Sequence, residues 1–258
     1  MSDVLNRREG AVLILTLNRP ESLNALTLDA ARLLGERLDA ASRDPGVRAV
    51  VTGAGSAFSA GGDTKFLLEI PGMSDDELRR VVYGTFQRPV RAIRAIDKPV
   101  IAAVNSATVG AGCELAVAAD IRMVSEQARF GEIWIRIGCV PALGGMYLLP
   151  RIVGLDRATE LILTGETIDA AEAQAHRPGQ PRGPSRRVAG RGAGAGAFAR
   201  RRARAYPRPS EGRAQPWSRR DALGGARRHR RLAPRVLPRP RLCRGRALAD
   251  RRPRFSGE

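Results

Sequence analysis

The sequence predicts an α/β domain with largely parallel strand pairing, carried by residues 1–176. Three observations predict it. Short β-branched runs alternate with stretches whose apolar residues fall at helical spacing. One run, Val100–Val104, is apolar on both faces, as a strand covered on two sides must be. That run passes through Val109-Gly110-Ala111-Gly112 into a helix carrying Glu114, so the central unit is strand, small-residue turn, helix.

Taken in order, Ala11 to Leu17 reads as a strand, closed by the turn chemistry of Asn18-Arg19-Pro20. Thr27 is an N-cap for a helix through about Ser42, with Leu28, Ala31, Leu34, Leu38 and Ala41 on one face. Asp44-Pro45-Gly46 stops it, and Arg48 to Thr52 is a second strand. A small-residue loop follows, Gly53 to Asp63. Residues 65–70 suit a short helix, and 74–96 a longer one begun by Ser74-Asp75-Asp76-Glu77. After the central unit, Ile121 to Ser125 is a further strand and Ala128 to Gly131 a turn. Pro141 to Leu149, Arg157 to Leu163 and Thr167 to about Ala175 read as helices.

Charge divides the chain. The formal net charge is +18, but residues 1–176 carry 19 Lys+Arg against 22 Asp+Glu, and residues 177–258 carry 25 against 4. Every basic residue of that last segment except His229 is Arg. Its composition, rich in Arg, Gly, Pro and Ala without apolar periodicity, predicts a disordered tail. The three cysteines, Cys113, Cys139 and Cys243, have no metal-ligand or paired spacing, so no metal site is expected and a reducing compartment suits them. The N-terminus lacks an apolar signal-peptide core and no apolar run reaches membrane-span length. The expectation is a cytoplasmic domain with no membrane partner.

The chemistry points to the central turn. Small residues there let a ligand approach the backbone, and the first N–H groups of the following helix are free to donate to an oxygen. Glu114, one turn in, could act as general base or acid. The plainer alternative is a tight βα connection with an exposed Glu.

Several motifs together resemble the crotonase (enoyl-CoA hydratase/isomerase) superfamily. They are Asn18-Arg19-Pro20-Glu21-Ser22-Leu23-Asn24-Ala25-Leu26, Ala57-Phe58-Ser59-Ala60-Gly61-Gly62-Asp63, Lys98 to Asn105, and Gly110-Ala111-Gly112-Cys113-Glu114-Leu115-Ala116. Asp120-Ile121-Arg122, Ala128-Arg129-Phe130-Gly131 and Leu163-Thr164-Gly165-Glu166 continue the series, and the resemblance ends near residue 176. It implies a ClpP/crotonase-type spiral of ββα turns that binds an acyl-CoA thioester and adds water to a 2-enoyl-CoA, as lyases of fatty acid metabolism do. Coenzyme A would be part of the substrate, with no separate cofactor. By this resemblance the N–H groups of Gly62 and Ala111 form an oxyanion hole and Glu114 is the acid/base. Ser22, Leu23, Ala60, Asp63 and Gly110 lie along the CoA and thioester path, with Asp63 ordering its loop. A homotrimer or hexamer is implied as well.

One position departs from the pattern. Where such hydratases carry a second glutamate, this chain has Trp134, and Glu132 lies two positions away. An indole N–H donates but cannot serve as a base, so double-bond isomerisation or another enolate reaction is the alternative, with Trp134 as a wall of the acyl pocket. Cys113 and Cys139 read as packing residues, and His176 and His229 have no evident partners.

The departure after Ala175 has a genetic reading. The residues Ala175-His176-Arg177-Pro178-Gly179-Gln180-Pro181-Arg182-Gly183-Pro184 admit codons that, read one base later, give Arg-Ile-Gly-Leu-Val-Asn-Arg-Val-Val, the kind of continuation the resemblance implies. A frameshift near residue 175 would replace the family's C-terminal helices, which cover the acyl pocket and pack the trimer. Taken as real, the tail would instead bind nucleic-acid phosphates non-specifically. It lacks the interleaved aromatics of single-strand binders, since Phe198, Tyr206 and Trp217 are isolated.

Overall fold

The computed structural model describes residues 2–47, 49–54 and 57–176; both the tail and His229 lie outside the described residues. Two strands open the chain, β1 (Val4–Glu9) and β2 (Val12–Leu17), paired antiparallel across a tight turn with Gly10 at positive φ. Helix α1 (Leu28–Arg43) follows, with Thr27 accepting from the Ala30 N–H at 3.1 Å, a cap that stabilises a helix by about 1 kcal/mol. Its apolar face, Leu34, Leu38 and Ala41, is buried. At its other end Lys98 Nζ donates to the Ala41 carbonyl, one of the last-turn oxygens that helix geometry leaves without partners, and to the Asp44 carbonyl, both at 2.5 Å.

Strand β3 (Ala49–Ala54) pairs parallel to β2. Then come α2 (Thr64–Glu69), capped by Asp63, and α3 (Asp75–Val81), opened by a capping box between Ser74 and Glu77. A single π turn, Val82–Phe86, joins α3 to α4 (Gln87–Ala95), so the predicted long helix is continuous but locally widened. Strand β4 (Val100–Val104) is wholly buried, as its apolar run requires, and pairs parallel to β3. After β5 (Ala107–Val109), α5 (Ala111–Ala118) is buried at every residue. Strand β6 (Ile121–Val124) closes the five-stranded order β1-β2-β3-β4-β6, parallel to β4. The Asp120 carboxylate ties the two strands by accepting from the Val100 N–H at 2.9 Å, and Arg122 donates to the Ala119 carbonyl that ends α5 at 2.7 Å.

Residues 128–131, expected as a turn, contain strand β7 (Arg129–Gly131) instead. It pairs with β5 and with β8 (Thr167–Asp169) in a second, three-stranded sheet. The helix expected over 141–149 is confined to α6 (Gly145–Leu148), followed by α7 (Pro150–Val153) and α8 (Leu155–Thr164). The stretch from Thr167 divides into β8 and α9 (Ala170–Ala175), because Asp169 caps the helix by accepting from the Glu172 N–H at 2.9 Å. Arg157 joins α8 to its surroundings through ion pairs with Glu160 and Glu172. His176 does have a partner: its Nε2 lies 3.4 Å from the Glu172 carboxylate. Cys113 is core as expected, whereas Cys139 is only partly buried.

Candidate active site

Two small-residue turns are pressed together beside the N-terminus of α5. The first is Ser59 to Asp63. Ser59 is fully buried and its Oγ donates to the Asn24 carbonyl at 2.8 Å. Ala60 N–H donates to Leu23, and Leu26 N–H donates to Gly61, at 2.9 and 2.7 Å. The second turn follows β5. Val109 N–H donates to the Ser59 carbonyl, and Gly110 N–H donates to the Gly131 carbonyl, at 3.1 and 2.8 Å. Gly61 sits at φ 99°, and a Cβ on it would lie 2.9 Å from the Val109 carbonyl oxygen. The approach of the two turns therefore demands glycine at that position.

This packing leaves the N–H groups of Gly62 and Ala111 without an acceptor among the described residues. Ala111 is the first residue of α5, where the backbone N–H has no intrahelical partner and the helix end carries partial positive charge. A backbone N–H from each turn is thus available on neighbouring strands of chain.

Glu114 lies one turn into α5 and is fully buried, which excludes the exposed-Glu alternative. Its Oε2 accepts from the Gly145 N–H at 2.6 Å, while Oε1 has no hydrogen-bond partner. Burial raises its pKa to about 7, although the N–H groups of Gly145, Leu143 and Gly144 favour the charged form. The carboxyl is therefore poised to hold or release a proton near neutrality.

Trp134 follows β7 in a short 3₁₀ turn and is buried. Its six-membered ring flanks Gly110, where an added Cβ would come within 3.6 Å of it. Its N–H opposes the pKa rise of Glu114 and Glu132 but closes no hydrogen bond of good geometry with either. Glu132 is 1% exposed, and neither carboxylate oxygen has a hydrogen-bond partner. Burial first, and then the charge of Glu114, hold its pKa well above the usual carboxylate range. Cys113, beside it, is pushed up for the same reasons, with burial leading and Glu132 next.

The remaining predicted residues lie in the first turn or in the segment that packs against it. Ser22 ends a short 3₁₀ turn and its Oγ donates to the Arg19 carbonyl at 3.3 Å. Leu23 is exposed at φ 51°. Asp63 caps α2 and pairs with Arg19 at 3.4 Å. The structure thus brings Leu23 to Ala60, Gly61 to Ala111, and Trp134 to Gly110 and Glu114.

Two positioning residues escaped the sequence reading. Asn24, buried at φ 56°, donates from Nδ2 to the Ala57 carbonyl at 2.6 Å and accepts from the Arg19 N–H. It clasps residues 19–26 to the first turn, and its tolerance for left-handed backbone is the signal that could have marked it. Gly145 holds the Glu114 carboxylate; no local pattern announces that contact, which spans 31 residues.

The strand order and the strand–turn–helix unit define a crotonase fold, which comparison with solved structures shows directly. The enoyl-CoA hydratase of Mycobacterium smegmatis superposes with a TM-score of 0.64 at 33% identity, over 69% of this chain and 68% of that one. The family model described as enoyl-CoA hydratase/isomerase matches residues 7–177, and the chain belongs to that family. It is 39% identical over 176 residues to the short-chain-enoyl-CoA hydratase of Clostridium acetobutylicum, covering 67% of this chain and 66% of that protein. It is 36% identical over 174 residues to the crotonyl-CoA hydratase of Syntrophomonas wolfei, covering 66% of this chain and 65% of that protein. The chain therefore spans just under two thirds of the length of these relatives.

Proposed function

We propose that this chain binds acyl-CoA thioesters and adds water to 2-enoyl-CoA. The observation that carries the reading is the junction of the two turns, which leaves the Gly62 and Ala111 N–H groups without acceptors beside a buried Glu114. Hydration places a hydroxyl on C3 and a proton on C2, and negative charge develops on the thioester oxygen between the two events. Fixed N–H donors in a dry site stabilise such charge by about 3–4 kcal/mol each. The Ala111 donor gains further from the helix end. Glu114, with a pKa of about 7, takes a proton from water as it adds and returns one to C2, ending in its starting state. Ser22, Leu23 and Ala60 line the CoA approach, Asp63 orders it, and Gly110 with Trp134 walls the acyl end.

Among the described residues no helix is long and apolar enough to cross a membrane, and no group of side chains could hold a metal. This reading uses neither, and takes coenzyme A as part of the substrate. It also expects cytoplasmic residence and assembly as trimers or hexamers, for which exposed apolar residues such as Leu155 and Leu163 offer surface.

Double-bond isomerisation is favoured by one observation, that Trp134 stands where a second acid/base would. One carboxyl suffices to move a proton between two carbons. The test is turnover of crotonyl-CoA and of a 3-enoyl-CoA by the full chain and its Glu114→Gln variant. We expect hydration in the parent and a kcat loss of about 10²–10⁴-fold in the variant, with KM little changed. Turnover of the 3-enoyl-CoA alone would make the protein an isomerase. An active Glu114→Gln variant would overturn the assignment.

A further inference from the structure

Glu132 is a buried acid that the chemistry at Glu114 does not use. It is 1% exposed, and neither carboxylate oxygen has a hydrogen-bond partner. It lines a groove of about 670 Å³ beside β6, a volume in the range of small-molecule sites. Glu114, Gly62 and Ala111 do not line that groove, so it is separate from the thioester site. Its walls are mostly apolar, with Val124, Phe130, Val153, Leu161 and Ile168 among them. The other charged groups along it are Arg122 and Arg129 against Glu126 and Asp169, two of each sign. Both guanidinium groups already donate to backbone, Arg122 to the carbonyls that end α5 and Arg129 to the Ala128 carbonyl. Asp169 caps α9. Burial, and next the charge of Glu114, favour the protonated form of Glu132; Cys113 and the Trp134 N–H favour the charged form, and none of these groups is a cation. A buried carboxyl without a partner requires a donor, and one beside a second carboxyl requires positive charge as well.

We propose that this groove binds a primary aliphatic amine in its ammonium form, with the head on Glu132 and the alkyl chain along the apolar walls. Charge complementarity selects this class. A hydroxyl or amide head would satisfy an oxygen of Glu132 but leave two buried carboxyls without a counter-charge. A carboxylate head would add a third negative group. A primary ammonium brings three N–H donors and a positive charge to two oxygens that have neither. The apolar walls then take the chain, which gains with every methylene buried. The ammonium replaces the proton of Glu132: the carboxyl O–H breaks, the carboxylate pairs with the ammonium, and one proton leaves to water. Affinity therefore rises with pH until Glu132 ionises unaided, and an alkylammonium keeps its own proton through that range.

The test is calorimetric titration of the full-length protein with octylamine, octanol, octanoate and octyltrimethylammonium. Octylamine should saturate one site per chain at least tenfold more tightly than the other three, since only it carries both the charge and the N–H donors. Decylamine should bind about tenfold more tightly than octylamine, from two further methylenes. Octylamine affinity should rise about tenfold between pH 6.5 and 7.5, as release of one proton requires. Glu132→Gln should weaken octylamine at least tenfold and abolish that pH dependence. Equal binding of octanol or octyltrimethylammonium, no binding of octylamine, pH-independent affinity, or binding unaffected by Glu132→Gln would each overturn the proposal. If the variant does not fold, the ranking of the four probes and the pH dependence on the parent still decide. Failure here leaves the chemistry proposed at Glu114 standing, because Glu114 does not line the groove.

Discussion

Two carboxyl groups, Glu114 and Glu132, are buried close enough for the charge of one to act on the other. Such a pair costs stability whenever both ionise. Glu114 is raised from 4.5 to about 7, so between those values the folded state binds more protons than the unfolded one. Its contribution is therefore fully present below the unfolded pKa and is lost as pH rises through about 7. Glu132 shifts in the same direction and adds to the loss. Glu114→Gln keeps an oxygen for the Gly145 N–H and removes the charge. It should be the more stable protein at pH 8, by something on the order of 3 kcal/mol from the size of the shift, and close to the parent at pH 4.5. Urea unfolding at the two pH values measures this; parallel stability curves for parent and variant would exclude it. Glu114 was legible in the sequence because it sits one turn behind a small-residue turn. Its burial was not, since helix α5 has no polar face to show which side meets the core. Glu132 was weighed only as a neighbour of Trp134, and its burial against Cys113 depends on the path of β7.

At the scale of elements, the active-site candidate rests on α5, and α6 is its hidden support. Gly145 opens α6 and touches Glu114 on one side and Pro141 on the other, with a Cβ there falling 3.1 Å from both Cγ and Oε2 of Glu114 and 3.0 Å from Pro141 Cβ. Gly145→Ala must move that carboxyl by a few tenths of an ångström. Misplacements of about 1 Å cost on the order of 10²-fold in rate, so a loss of roughly tenfold in kcat is expected, with KM and far-ultraviolet circular dichroism unchanged. Unaltered kcat would mean that the Gly145 contact does not position Glu114. Such contacts explain what the sequence could show of the elements. Strands β2 and β4 and helix α1 were plain because their patterns are long enough to read alone. The three-residue strands β5, β7 and β8 were not, because each exists only through its neighbours. Thr167 to Ala175 looked like one helix for the same reason: β8 forms by pairing with β7, and the Asp169 cap then restarts the chain.

The whole molecule is divided by charge. Residues 1–176 are slightly acidic, and the 25 Arg of residues 177–258 make the chain strongly basic. A thioester site and a polyanion-binding segment would coexist in one chain without sharing residues. The segment's charge alone predicts binding to duplex DNA that ignores sequence and falls steeply with salt, since each phosphate neutralised contributes about −0.9 to the slope of log K against log salt. Anisotropy titrations of two unrelated duplexes with the full chain, from 50 to 300 mM salt, test this. The two duplexes should give the same affinity and the same slope, and saturating DNA should leave crotonyl-CoA turnover unchanged at each salt concentration. A preference for one duplex would require base contacts, for which the segment has no interleaved aromatics and no patterned elements in its sequence. Loss of turnover on DNA binding would place the basic segment over the acyl-CoA approach, and the two functions could then no longer be treated as independent.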